Sequence, residues 1–180
     1  KTVFLSVFPY ETDSVLTTRY GNSPIRGDVY TMNIWVYGAA SDKIDNIYIS
    51  AGEALGETLA KKGHTVVFGG GAAGMMGAVA RGSKRRGGRL IGISPSFFNV
   101  DGILYENCDE FYYTETMRER KQMLEEKSDG FLVTPGGIGT FDELFEILSL
   151  RQLGRHGKPI LLYNINGYFD PLIKMLQNAV

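Results

Sequence analysis

From Met32 onward the chain alternates short, continuously apolar runs with longer amphipathic stretches, and this alternation constrains the fold more than any other feature. MNIWVYG (32–38), TVVFGGG (65–71), RLIGISP (89–95), EFYYTE (110–115), DGFLVTP (129–135) and KPILLYN (158–164) read as strands. Segments 45–62, 74–86, 116–128, 141–153 and 168–180 read as helices. In the first of these, Ile47, Ala51, Leu55 and Leu59 recur at helical spacing before Gly63 closes it. Strands that are apolar throughout must be covered on both faces, and strand–helix–strand units pair in parallel through right-handed crossovers. The expected fold is α/β: a three-layer, Rossmann-like domain over 32–180, its mostly parallel sheet flanked by helices on both faces. Residues 1–31 carry Pro9 and Pro24, are rich in Thr, Ser, Tyr and Gly, and show no helical period. They read as an N-terminal extension, either an edge strand with loops or a segment that packs on a partner.

Such a sheet brings every strand exit to one edge, where ligands bind near the point at which strand order reverses. Three glycine-rich exits fall there: Gly38–Ser41, Gly69–Gly77 and Pro135–Thr140. Composition narrows what the edge handles. The chain has 180 residues, 43% of them hydrophobic, which is one globular domain and neither a disordered nor a disulfide-built chain. Nineteen basic residues against 20 acidic ones give no basic surface for nucleic acid. No apolar run approaches a membrane span, so neither nucleic acid nor membrane is an expected partner. A single cysteine, Cys108, and no signal-peptide pattern suit the reducing cytoplasm. That cysteine and two distant histidines, His64 and His156, form no metal cluster, and both histidines read as surface or cap residues.

Each motif admits a plain reading beside a functional one. In GGGAAGMMG, Gly69, Gly71 and Gly74 match G-x-G-x-x-G. The acidic residue that a dinucleotide site wants about 20 positions on is missing from IGISPSFF, and no Gly-Lys-Ser/Thr follows for a P-loop. What remains is a tight turn, or backbone access to a phosphate or sugar. In TPGGIGTFDE, Gly136, Gly137 and Gly139 let several N–H groups converge at a helix N-terminus, an anion site by geometry and dipole. Thr140 as N-cap and Glu143 three residues later also fit a capping box, although a plain cap needs no P-G-G-x-G. In TMRERKQ the charges read as a solvated helix face, or as Arg120 or Lys121 reaching the sheet edge to meet a phosphate or carboxylate.

Together and in this order, these segments resemble the Lonely Guy family of cytokinin riboside 5′-monophosphate phosphoribohydrolases, often labelled lysine decarboxylase-like. The family's P-G-G-x-G-T-x-x-E stands here as Pro135 to Glu143, its Met-x-x-Arg-Lys as Met117 to Lys121, and its glycine turn as Gly69 to Gly77 with Met75 in place of leucine. The resemblance covers residues 32–180. The first strand exit departs from it: Gly38-Ala39-Ala40-Ser41 replaces Cys-Gly-Ser-Ser, so only Ser41 keeps its hydroxyl. Arg118 stands where histidine is common. The resemblance implies a hydrolase of the N-glycosidic bond in N6-substituted or plain adenosine 5′-monophosphate, releasing free base and ribose 5-phosphate. It implies Arg120 and Glu143 as catalytic pair, and a phosphate and substrate site at Gly136, Gly137, Gly139, Thr140, Lys121, Met117, Gly71 and Ser41. It also implies a homodimer with the signature helix near the interface; Leu144, Phe145, Leu148 and Leu150 give that helix more than one apolar face. No cofactor is expected, and the decarboxylase label finds no Schiff-base arrangement around Lys121 or Lys158. Glu143, placed in the first helical turn, is expected to stay ionised, suiting a cation stabiliser or base rather than a general acid. The donor of the leaving-group proton stays open among Asp142, Glu119 and water. The competing reading is a non-catalytic nucleotide or molybdenum-cofactor carrier.

Overall fold

The computed structural model describes residues 2–4 and 31–179; the rest of the extension reading for 1–31 lies outside the described residues. The strands are β1 (Thr2–Phe4), β2 (Asn33–Tyr37), β3 (Thr65–Phe68), β4 (Leu90–Pro95), β5 (Glu110–Thr114), β6 (Gly130–Val133) and β7 (Ile160–Tyr163). The helices are α1 (Asn46–Lys61), α2 (Gly74–Arg85), α3 (Met117–Glu126), α4 (Ile138–Gln152) and α5 (Asp170–Asn178). Short 3-10 turns occupy Ser96–Phe98 and Ile165–Gly167. The sheet runs β1-β7-β6-β2-β3-β4-β5, with β2 to β7 parallel and β1 antiparallel on β7.

Side-chain alternation explains why the strands are apolar throughout. Trp35 and Tyr37 of β2, Val67 of β3, and Phe131 and Val133 of β6 face the layer of α3, α4 and α5, packing with Leu124, Leu144, Ile147 and Phe169. Val36, Val66, Phe68 and Leu132 face the other way, onto Leu59 of α1 and Val79 and Ala80 of α2. Those two helices interlock closely. A Cβ on Gly56 would lie 2.1 Å from the Val79 carbonyl oxygen, and one on Gly82 would lie 2.0 Å from that of Glu53.

Caps differ from the sequence expectation in one place that matters. Asp45 caps α1 by accepting from the Ile47 amide, and Thr116 with Glu119 forms a full capping box on α3. Helix α4 starts at Ile138, three residues before the expected Phe141, with Gly137 as N-cap and no side-chain cap. Thr140 and Glu143 are therefore no capping box: both sit inside the helix, with Glu143 in its second turn. The basic turn at the end of α2 is paired throughout: Arg85 and Arg86 meet Glu53 and Glu57 of α1, and Lys84 meets Asp109.

Strand order reverses between β2 and β6, which lie side by side although their sequences are far apart. Their exits, with that of β3 beside them, form the crevice where such a sheet receives a ligand.

Candidate active site

Arg120 and Glu143 meet in that crevice. Arg120 projects inward from α3 and donates through Nη1 to Glu143 Oε1 of α4 at 2.9 Å. Both residues are more than nine-tenths buried, at 8% and 7% exposure. Space for the guanidinium comes from Gly69 at the end of β3, where a Cβ would stand 2.1 Å from Arg120 Nη2. Gly69 is thus a functional neighbour that the sequence could disclose only as one glycine of a turn, because its partner arrives from a distant helix.

Burial raises the Glu143 carboxyl above its ordinary value, and the charge and hydrogen bond of Arg120 oppose that only in part. Its place in the second turn removes the helix N-terminus as the expected cause of its ionisation; the opposing influences on it are desolvation and Arg120. The neighbouring carboxylates are engaged elsewhere. Glu119 closes the capping box on Thr116. Asp142 and Glu146 both pair with Lys121, and that amine is held in its charged form chiefly by Glu146.

The Pro135–Thr140 loop stands beside the pair. From below, Ala39 N–H donates to the Pro135 carbonyl at 3.0 Å and the Tyr168 hydroxyl donates to the Gly136 carbonyl. Gly136 is buried tightly enough that a Cβ would lie 2.1 Å from Thr140 Oγ1 and 2.7 Å from Ala39 N. Above it, Gly137, Ile138 and Gly139 are exposed, and their amides find no acceptor among the described residues. A Cβ on Gly137 or Gly139 would meet nothing within 4 Å. Three free N–H groups at the start of a fifteen-residue helix make an anion-receiving surface.

The remaining expected site residues are distributed around this centre. Thr140 is buried against Gly136, and Met117 opens α3 with its side chain exposed. Lys121 is committed to α4 rather than free for a phosphate. Ser41 is exposed, with its hydroxyl accepting from the Lys43 amide. Gly71 bridges to Leu104 in a turn closed by its own surroundings.

Amino-acid decarboxylation through a Schiff base needs a free amine beside a bound cofactor. Lys121 lies between two carboxylates, and Lys158 donates to the Glu125 carbonyl at 2.6 Å, so neither fits that role. Among the described residues no group of three or more His, Cys, Asp or Glu side chains is placed to hold a metal ion. His64 accepts from the Met32 amide and His156 contacts the Ile147 carbonyl, both structural tasks. No helix of the described residues is long and apolar enough to cross a membrane.

Comparison with known proteins gives this geometry a context. Residues 76–180 match the family model described as "Possible lysine decarboxylase". Over 145 residues the chain is 42% identical to a cytokinin riboside 5′-monophosphate phosphoribohydrolase of Mycobacterium tuberculosis, covering 81% of this chain and 77% of that protein. Over 147 residues it is 35% identical to a protein of Oryza sativa subsp. japonica carrying the same name with the qualifier "probable", covering 82% of this chain and 60% of the relative. Among solved structures, the molybdenum cofactor binding protein of Rippkaea orientalis superposes with a TM-score of 0.62 at 23% identity, covering 82% of this chain and 84% of that one. At that identity the likeness establishes the shared three-layer fold.

Proposed function

This chain belongs to the family described as "Possible lysine decarboxylase", among the relatives named cytokinin riboside 5′-monophosphate phosphoribohydrolase, and on that premise we propose how it acts. The reaction is hydrolysis of the N-glycosidic bond of a nucleoside 5′-monophosphate, N6-substituted or plain adenylate, to free base and ribose 5-phosphate. The observation that carries this reading is the buried Arg120–Glu143 pair beside a helix N-terminus with three unpartnered amides.

The 5′-phosphate sits on the amides of Gly137, Ile138 and Gly139, where charge-assisted hydrogen bonds and the helix dipole favour a dianion. The glycosidic bond then lies over Glu143. Cleavage develops positive charge on the sugar, and a carboxylate beneath the anomeric carbon stabilises it and takes the proton of the attacking water. Arg120 holds the carboxylate in register through its guanidinium hydrogen bond. Water supplies a hydroxyl to C1′ and a proton to the departing nitrogen, so Glu143 ends each cycle as it began. Glu119 and Asp142 are set aside as donors by their own partners. That leaves water, or the proton that Glu143 itself takes up.

The assembly is a homodimer. The structure changes the basis for that expectation, because Leu144 and Leu148 are buried in the chain's own core and Leu150 is half-buried. The apolar surface left on α4 and just beyond it is Ile138, Phe145 and Leu153, at 84%, 39% and 71% exposure and on one side of the helix. Light scattering at micromolar concentration is expected to give twice the chain mass, and a monomer would remove the dimer.

Product analysis tests the reaction. Adenine and ribose 5-phosphate are expected in equal amounts from AMP, and isopentenyladenine from its N6-isopentenyl analogue. Tight nucleotide binding with no base release would instead favour a carrier.

A further inference from the structure

Tyr37 ends β2 at the mouth of the crevice, and it is the one tyrosine among the described residues whose hydroxyl is fully buried without a partner. An unpaired phenol in an apolar core costs stability that phenylalanine at the same place avoids. Its surroundings supply a reason for keeping it. The ring lies on the sheet face covered by α4 and packs in one cluster with Leu144, the residue after Glu143. On the neighbouring strand, Gly69 makes room for the Arg120 guanidinium, so ring and ion pair share adjacent strand ends. The Glu143 charge reaches the phenol: after burial, it is the second cause that pushes the Tyr37 hydroxyl well above its ordinary value. The charged groups facing Glu143 are Arg120 and Lys121 from α3 and its own neighbour Asp142. Arg120 occupies Oε1. Tyr37 brings the unpartnered hydroxyl on this side of the sheet.

Resting on the proposed hydrolysis for its catalytic meaning, we infer that Tyr37 is a positioning residue whose hydroxyl donates to the ionised Glu143 carboxylate and fixes its free oxygen beneath the anomeric carbon. The contact is inferred: in the structure the hydroxyl has no hydrogen-bond partner. Arg120 then holds the carboxylate from one side and Tyr37 from the other. A donor to the charged form favours that form, so losing it shifts the Glu143 titration upward.

Tyr37→Phe keeps the ring and its packing and is the variant to test. The expected result is an unchanged or higher Tm, kcat on AMP lowered about tenfold with KM unchanged, and the acidic limb of the rate profile displaced to higher pH. A side-chain carboxyl NMR titration of the ligand-free protein, with Glu143→Gln assigning the resonance, is expected to move up by at least ~0.5 in Tyr37→Phe. If the Glu143 titration does not move, the inference is overturned whatever the activity. If it moves in a protein that cleaves no nucleotide, the contact stands and the proposed hydrolysis falls.

Discussion

The molecule contains two glycine-rich turns that look alike in sequence and differ in what they leave open. Both follow a buried strand and lead into a helix. At Gly69–Gly77 the backbone is closed on itself and its neighbours. The Met75 amide donates to the Ala39 carbonyl at 2.8 Å, Ala72 N–H to Ile103 at 2.9 Å, and Tyr105 N–H to Gly70 at 2.8 Å. Gly74 adopts φ +61°, and a Cβ there would stand 2.5 Å from the Ala39 oxygen. At Pro135–Thr140 the hydrogen bonds anchor only the underside, through the Pro135 and Gly136 carbonyls, and the amides of the next three residues stay unoccupied. Glycine in the first turn serves close packing; in the second it exposes donors. Counting glycines does not separate these roles, and following the destination of each N–H does.

The largest effect expected from probing this contrast is at the helix behind the open loop. Glu143→Gln is expected to lower kcat on AMP by roughly 10²–10⁴. It is also expected to cost about 3 kcal/mol of stability, because it leaves the buried Arg120 without its counter-charge. Replacing both members, Arg120→Met with Glu143→Leu, is expected to recover most of that stability and none of the activity, by denaturant melts and product assay. Wild-type stability in the single variant would mean that the pair is not buried as described.

Next is the phosphate itself. If the open amides receive it, kcat/KM for adenosine is expected to fall more than ~100-fold below that for AMP, since several charge-assisted bonds of about 1.5–3 kcal/mol are lost. Comparable rates for the two would make the two turns functionally alike. The glycines give a sharper and smaller contrast. Gly74→Ala is expected to destabilise by about 3 kcal/mol, from left-handed strain and collision with two carbonyls. Gly137→Ala is expected to leave Tm nearly unchanged and to raise KM for AMP about tenfold, because its methyl meets only the space a phosphate would take.

The smallest expected effect is on pH dependence. A carboxyl whose value is raised on folding adds stability below the unfolded glutamate value, and that contribution fades as pH rises through the raised one. Activity that needs the ionised form runs oppositely, with kcat/KM falling on the acid side at a pH above the ordinary glutamate value. A limb at the ordinary glutamate value would place Glu143 in a wetter site than its burial indicates.

Much of this was legible in the chain, for reasons that can be stated residue by residue. The six parallel strands follow from apolar runs such as TVVF and GFLV, since side chains buried on both faces leave no polar alternation. The antiparallel β1 lies in a similar apolar run, TVFL, and what the run does not disclose is its direction or its partner β7, far along the chain. Local capping rules at Thr140 and Glu143 point to a start of α4 three residues later than Ile138, whereas the chain follows the tertiary pairing of Glu143 with Arg120. A capping box with the same spacing does form at Thr116 and Glu119, where no buried partner competes. Lys121, next to Arg120 in sequence, also pairs with carboxylates of α4, but with the exposed Asp142 and Glu146, whereas Arg120 takes the buried Glu143. Tyr37 left one clue, a hydroxyl at the end of an otherwise apolar strand, and its meaning depended on what α4 brings beside it.

The pairing of β1 with β7 has a consequence for how the molecule is made. Thr2 aligns with Tyr163 and Phe4 with Leu161, so the first strand of the described chain waits for the last. During synthesis from the N-terminus, at about 5–20 residues per second, that partner emerges only after the other strands have left the ribosome. Until then the early strand has no ladder to join, and afterwards it is what covers the outer edge of β7. An unprotected parallel-sheet edge is a template for joining other chains. A molecule released before this final pairing would carry a sticky margin, so the last step of assembly also guards the solubility of the whole.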